Sequence, residues 1–115
     1  MAEILNFPDH KRNDTFLAQP FIYKRNGVVI DLTGATIAMM LRLVKTQASP
    51  DLSLSSATSG ITITSAVDGE WEVDEQVISI DAGTYYQDIQ LTESGGRVST
   101  FTEGTWTITQ DVTYT

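Results

Sequence analysis

Hydrophobic and polar residues alternate with a period of two along most of this chain, which is the pattern of β-strands with one buried face. Residues 105–115 are the clearest example, because threonines dominate one face and the other carries Trp106, Ile108, Val112 and Tyr114. Threonine suits an outward strand face, since its branched side chain packs on the pleat while its hydroxyl stays hydrated. Shorter runs predict further strands at residues 15–23, 28–32, 61–64, 71–73, 77–80, 85–91 and 97–101.

Turn residues separate these predicted strands. Asn26-Gly27 tolerates the positive φ angles of a tight hairpin turn, and Ser94-Gly95-Gly96 closes a second hairpin loop. Thr33-Gly34 and Asp68-Gly69 interrupt the chain between strands. Pro20 places the strand over residues 15–23 at a sheet edge or a bulge, because proline cannot donate to a β-ladder.

Residues 35–45 fit either a strand or a helix. A strand would carry Ile37, Met39, Leu41 and Leu43 on one face, whereas a helix would align Ile37, Met40, Leu41 and Val44. We predict a strand, because the run is short and lies between strands, where tertiary context overrides propensity. The second face of that strand carries Ala38, Met40, Arg42 and Val44. This face is too apolar simply to meet water, so either another part of the chain or a partner subunit is expected to cover it.

A turn followed by a tyrosine marks the start of the strand over residues 85–91. Gly83 allows a sharp turn, Asp81 can accept hydrogen bonds from turn amides, and Tyr85 can return its hydroxyl to an upstream backbone group. This arrangement resembles the tyrosine corner of immunoglobulin-like domains. The sequence therefore predicts an all-β, immunoglobulin-like antiparallel β-sandwich, and it has no disulfide because it contains no cysteine.

The length of 115 residues, 41% of them hydrophobic, suits one domain with one core. Residues 1–13 show neither period and are predicted to form an N-terminal arm on the surface, while residues 14–115 form a single sandwich domain. Residues 46–60 are rich in Ser, Thr, Ala and Gly, which predicts a flexible polar loop in which Leu52 and Leu54 can form a short edge strand.

Charge and composition exclude several classes of protein. A net charge of −8, from 15 acidic and 7 basic residues, repels phosphate backbones and argues against nucleic acid as a partner. No apolar run reaches the length of a membrane span, and residues 1–7 do not have the pattern of a signal peptide. We therefore expect neither a membrane partner nor secretion.

Candidate catalytic chemistry is sparse. His10, the single histidine, lies in the predicted arm, far from any serine that it could activate. The acidic run Asp68, Glu70, Glu72, Asp74 and Glu75 departs from calcium-loop spacing and is more simply the solvated face of a strand. We therefore expect no enzymatic activity, no cofactor and no metal site.

Four segments in chain order are similar to those of a known family. They are Arg12-Asn13-Asp14-Thr15-Phe16, residues 29–37 (VIDLTGATI), residues 81–89 (DAGTYYQDI), and Gly104-Thr105-Trp106-Thr107-Ile108 with Asp111-Val112-Thr113. Together they resemble the N-terminal immunoglobulin-like domain of baseplate upper proteins, a family of small tailed-phage virion proteins. The chain departs from that family at Asn13, where glycine is common, and at Gln87, where a second aromatic residue is frequent.

The resemblance implies a structural subunit of a virion, assembled in the host cytoplasm and located at the tail, baseplate or head-tail junction. Its implied partners are other virion proteins, in a homo-oligomer or symmetric assembly that multiplies weak contacts. We expect the second face of strand 35–45 and the arm to form the assembly interface, with Met40, Arg42, Val44, Ile4, Leu5 and Phe7 as contact residues.

A carbohydrate-binding or host-adhesion module is the alternative function. Trp71, Tyr86 and Trp106 could supply an aromatic platform for a sugar ring. Core packing is the competing interpretation of the two tryptophans, and we expect it because an indole buries a large area.

Overall fold

The computed structural model describes residues 3–110 and places them in an all-β fold, which confirms the predicted fold class. The thirteen strands in this range are β1 (Glu3–Ile4), β2 (Phe7–Lys11), β3 (Thr15–Phe16), β4 (Gln19–Ile22), β5 (Lys24–Arg25), β6 (Val28–Val29), β7 (Thr36–Arg42), β8 (Leu52–Ser55), β9 (Ile61–Ser65), β10 (Glu70–Val73), β11 (Gln76–Val77), β12 (Gly83–Thr92) and β13 (Val98–Thr109).

Six strands form the large sheet, in which β8, β7, β12 and β13 lie side by side and are antiparallel. The β12–β13 hairpin is the longest pairing, with Tyr85 opposite Trp106. The short strands β1 and β2 both run parallel to β13 along its other edge. The loop containing Ser94, Gly95 and Gly96 joins β12 to β13, as predicted.

Three strands form the small sheet, in the order β4, β10, β9. Pro20 lies in β4 at the edge of this sheet, which confirms the predicted edge position. Two further pairs, β3 with β11 and β5 with β6, complete the described strands. Asn26 and Gly27 have φ angles of 53° and 79° in the β5–β6 turn, as the sequence predicts.

The inner faces of the two sheets share one hydrophobic core. Ile37, Met39 and Leu41 of the large sheet are fully buried, as are Trp71 and Val73 of the small sheet. Aromatic rings join the sheets, for example Trp71 and Phe101 edge to face at 5.9 Å between centroids. This arrangement is consistent with the predicted sandwich and confirms that residues 36–42 form a strand, not a helix.

The prediction of an irregular arm over residues 1–13 is corrected by the structure. Residues 3–4 and 7–11 are the strands β1 and β2, which add to the large sheet. Hydrophobic and polar residues do not alternate here because Phe7 is the one buried residue of β2. Its partner β13 is also about a hundred residues away, so no local turn signal marks the pairing.

Other predicted boundaries shift by a few residues. The strand predicted over residues 28–32 is limited to Val28 and Val29, and β13 ends at Thr109. Val112 and Tyr114, predicted to share a face with Trp106, lie outside the described residues. The predicted short edge strand at Leu52 and Leu54 is confirmed as β8, the outermost strand of the large sheet.

The corner before β12 has the predicted hydrogen bond. The Tyr85 hydroxyl donates to the backbone carbonyl of Asp81, and the Asp81 carboxylate lies 3.6 Å from the Arg12 guanidinium. Gly83, in contrast, does not adopt a positive φ angle. A Cβ at Gly83 would lie 2.9 Å from Cδ2 of Leu43, a side-chain end that can move aside.

Candidate functional site

The outer face of the large sheet carries a groove whose residues come from the strands β1, β7, β12 and β13 and from the segment after β7. We call it the outer groove, and it has a volume of about 320 Å³. Its lining residues are Ile4, Met40, Arg42, Lys45, Tyr86, Gln87, Asp88, Glu103, Gly104 and Thr105. The groove therefore includes three of the six predicted interface residues, namely Ile4, Met40 and Arg42.

Strand register explains how these side chains come together. Asp88 of β12 lies between Met40 of β7 and Glu103 of β13, and Glu103 is in turn opposite Ile4 of β1. Two residues before Asp88 on the same strand, Tyr86 lies opposite Arg42 of β7. Since side chains two apart on a strand point to the same face, both rows project outward.

The outer groove combines exposed apolar side chains with charges of both signs. Ile4 is 70% exposed and Tyr86 is 43% exposed, while Met40, on the other side of the groove from Ile4, is half-buried. The Lys45 ammonium group lies 4.9 Å from the centre of the Tyr86 ring, within the range of a cation–π contact. Arg42 donates from Nε to the carbonyl of Gln47 at 3.1 Å.

Two carboxylates lie directly opposite each other in the groove. Burial raises the pKa of Asp88, Arg42 opposes that rise, and the nearby Glu103 carboxylate adds to it. Like charges opposite each other on neighbouring strands destabilise a sheet. The repulsion between Asp88 and Glu103 therefore reduces the stability of the isolated chain. A cation brought by a partner would relieve this repulsion.

The segment after β7 is held by the side chain of Gln47. Its Oε1 accepts from the amide of Val44 at 2.9 Å, and its Nε2 donates to the carbonyl of Ser49 and to Asp51. Asp51 also accepts from the amide of Leu43 at 2.9 Å. The first part of the predicted flexible loop is thus a hydrogen-bonded turn, and it positions Val44 and Lys45 beside the groove.

The β1–β2 segment is attached to β13 by polar contacts that fix the position of Ile4. The amide of Leu5 donates to the carbonyl of Glu103 at 2.8 Å, and the Asn6 side chain accepts from the amide of Thr105 at 2.9 Å. Buried Gln87 donates from Nε2 to the Leu5 carbonyl at 2.5 Å. Gln87, at a position where the resembled family often has an aromatic residue, therefore anchors this segment.

The other predicted interface residues lie elsewhere. Val44 is 57% exposed at the end of β7 but does not line the groove. Leu5 is half-buried and packs against the core. Phe7 was wrongly predicted as a contact residue, because it is buried and stacks on Trp106 at 4.7 Å between ring centroids.

Three charged groove residues were missed by the sequence prediction: Lys45, Asp88 and Glu103. The outward positions of β12 could have been found from its period of two, since Tyr85 and Ile89 are apolar and Tyr86 and Asp88 alternate with them. The register that brings Glu103 opposite Asp88 depends on a bulge between Ile89 and Gln90, which the sequence does not mark.

The aromatic platform of the alternative function is largely absent from the surface. Trp71 and Trp106 are each 1% exposed and pack in the core, as expected. Tyr86 is the member of the predicted trio that remains exposed, and it lies in the outer groove.

The side chains considered for catalysis and metal binding do not form a reactive or metal-binding cluster among the described residues. His10 Nε2 lies 2.9 Å from the Asp14 carbonyl, and its ring contacts Phe16 and Trp106 edge-on. In the described part of the chain, no three metal-binding side chains come together. No helix among these residues is long and apolar enough to cross a membrane.

Comparison with known proteins identifies no relative: no family model, curated protein or solved structure matches this chain.

Proposed function

We propose that this chain is a structural subunit of a bacteriophage virion, in the tail, baseplate or head-tail junction, and that it acts through contacts between its outer groove and neighbouring subunits. No catalytic step is part of this proposal. The partners are other virion proteins, including further copies of the chain.

We also propose that the sandwich is immunoglobulin-like, and the strand order supports this. One sheet has the order β13, β12, β7, β8, the opposing sheet has β4, β10, β9, and a tyrosine corner precedes β12. Tyrosine corners occur at this position in immunoglobulin-like sandwiches. Parallel addition of β1 and β2 to β13 is compatible with the same architecture.

The observation that carries the proposal is the grouping of Ile4, Met40, Arg42 and Tyr86 in one accessible groove. Tyrosine, methionine and arginine are enriched in protein–protein interfaces. The groove also holds the cations Arg42 and Lys45 beside the carboxylates Asp88 and Glu103. A second copy related by a two-fold axis could place its cations against these carboxylates, which makes the surface self-complementary.

The proposed function is tested with charge substitutions in the groove. Ile4→Asp and Met40→Asp are introduced into phage carrying this gene, and assembled particles are counted by electron microscopy. Val67→Asp is the matched control, because Val67 is 70% exposed and lies in the turn before β10, outside the groove. We expect both groove variants to reduce assembly while the control does not.

Purified variants distinguish a defect in assembly from a defect in folding. Circular dichroism and thermal unfolding establish whether Met40→Asp, at a half-buried position, still folds. Ile4→Asp is the more decisive variant, since Ile4 is mostly exposed. If the folded Ile4 and Met40 variants assemble as well as the Val67 variant, the groove is not the assembly interface.

A further inference from the structure

A second cavity lies between the two sheets, at the edges formed by β13 on one side and by β4 and β5 on the other. We call it the inter-sheet cleft, and its volume is about 680 Å³. Aromatic residues from both sheets line it, namely Phe21, Trp71 and Phe101. Its size falls within the range of ligand-binding pockets in proteins.

The cleft borders a strand edge without a neighbour. Residues 98–100 of β13 pair with β12 on one side and Phe101 lies at the bulge in that pairing, while on the other side the pairing with β1 begins only at Thr102. Within residues 3–110, no strand pairs with residues 98–101 on that second side. Such an edge can accept an extended segment of another chain by backbone hydrogen bonding.

The opposite border of the cleft is less suited to strand addition. β4 pairs with β10 alone, so its other edge also lacks a strand among the described residues. Pro20 lies in β4, and proline has no amide hydrogen to offer an incoming strand. An added strand would therefore pair with β13 and not with β4.

The charge around the cleft is opposite to that of the whole chain. Lys24, Arg25 and Arg97 line it, which are three of the seven basic residues in a chain of net charge −8. No acidic residue belongs to the lining in the described part of the chain. Glu93 lies nearby, 3.8 Å from Arg25 and 3.7 Å from Arg97, and its partly buried carboxylate offsets part of this positive charge.

Polar atoms without partners also occur at the cleft. Trp71 Nε1, Ser99 Oγ and Thr102 Oγ1 are buried and make no hydrogen bond within the described structure, and all three residues line the cavity. Buried polar groups are normally hydrogen-bonded, so these groups favour an occupant that offers acceptors. A peptide backbone and carboxylate side chains both provide acceptors.

We propose that the inter-sheet cleft binds an extended acidic segment of a partner protein, which adds as a strand to residues 98–101 of β13. Its carboxylates lie against Lys24, Arg25 and Arg97, and its apolar side chains lie against Phe21 and Phe101. The cleft shares Ile4 with the outer groove, but Lys24, Arg25, Arg97 and residues 98–101 lie outside the groove, so the proposal does not depend on the groove being an assembly interface.

The test uses a fluorescein-labelled eight-residue peptide of alternating aspartate and valine, titrated against the full chain at low salt. We expect saturable binding that weakens by about tenfold in Lys24→Glu and in Arg97→Glu, because each places a negative charge beside the acidic peptide. Lys11→Glu is the matched control, since Lys11 is exposed in β2 and outside the cleft, and it should bind like the wild type. Circular dichroism establishes that all three variants fold.

Two further probes test strand addition itself. Amide hydrogen exchange of residues 98–101 should slow when the peptide binds, and a peptide with alternate N-methylated amides should not bind. The proposal is overturned if the acidic peptide shows no binding up to about 1 mM, or if the N-methylated peptide or a lysine–valine peptide binds equally well. Displacement of the peptide by succinate at equal concentration would likewise overturn it, because the cleft would then be a site for small carboxylates.

Discussion

Gly104 lies against the backbone carbonyl of Leu5, and a Cβ at Gly104 would overlap the Leu5 carbonyl oxygen. Backbone atoms cannot move aside as a flexible side chain can. The absence of a side chain at residue 104 is therefore what lets the β1–β2 segment run close along the edge of β13 and bring Ile4 to the outer groove.

Gly104→Ala should displace this segment and lower the free energy of unfolding by about 1–3 kcal/mol, a range typical of overpacking. Urea unfolding measures that loss, and hydrogen exchange at the Leu5 amide, which donates to Glu103, reports the displacement. Gly95→Ala is the control, because nothing lies within 4 Å of a Cβ there. Equal stability and equal Leu5 protection in the two variants would contradict this account of Gly104.

Tyr85→Phe should destabilise the chain by about 1–2 kcal/mol, because the Asp81 carbonyl loses its hydroxyl donor at 2.6 Å while the ring stays in place. Chemical denaturation measures the difference in the free energy of unfolding, and we expect the m-value to be unchanged. Tyr86→Phe is a neighbouring control, since the exposed Tyr86 hydroxyl has no hydrogen-bond partner among residues 3–110. A Tyr85 variant as stable as the Tyr86 variant would show that the corner hydrogen bond does not stabilise the fold.

The sequence predicted the strands whose two faces differ strongly in polarity. Ile37, Met39 and Leu41 alternate with more exposed residues, and Trp71 and Val73 do the same, so their burial follows from a period of two. The turn at Asn26-Gly27 was predictable for a local reason, because few residues adopt its positive φ angles.

Long-range pairing was not predictable in the same way. β2 joins β13 across the length of the chain, and its strand contains Pro8, Asp9 and Lys11, which give no alternation. Buried Gln87 is polar on an otherwise apolar face, and its anchoring role depends on the Leu5 carbonyl. The sequence predicted the contact residues of the groove on β7. The charged residues of the groove come together through strand registers that only the folded sheet defines.

Asp88→Asn should increase stability at neutral pH. Burial holds the pKa of Asp88 above its ordinary value of 3.8, so the native state disfavours the charged carboxylate relative to the unfolded chain. The stability associated with protonated Asp88 is present below pH 3.8 and is lost as the pH rises through the folded-state pKa. The gain from asparagine should therefore be seen at pH 7 and vanish in acid.

Asp31→Asn should have the opposite effect and serves as the matched comparison. Hydrogen bonds from the Thr33 hydroxyl and amide lower the pKa of Asp31, so the ionised carboxylate stabilises the native state above pH 3.8 and loses that effect as the pH falls. Urea unfolding of both variants between about pH 3 and pH 7 checks the two signs. The same sign for both variants at pH 7 would contradict the assigned environments.

Gln47→Ala should loosen the turn beside the outer groove, because Gln47 bonds Val44, Ser49 and Asp51. We expect a loss of about 0.5–1.5 kcal/mol and faster hydrogen exchange at the Val44 amide. Gln90→Ala is the control, since Gln90 is exposed on β12 away from this turn. Unchanged exchange at Val44 would mean that another contact holds the turn.

Cysteine protection within assembled particles tests the central claim most directly, because the chain has no cysteine of its own. Met40→Cys and Val67→Cys are each incorporated into phage particles and labelled with a maleimide, alongside the free variant chains. The account predicts that Cys at position 40 is labelled in the free chain but protected in the particle, whereas Cys at position 67 is labelled in both. Equal labelling of the two positions in particles, or absence of the chain from purified particles, would contradict it.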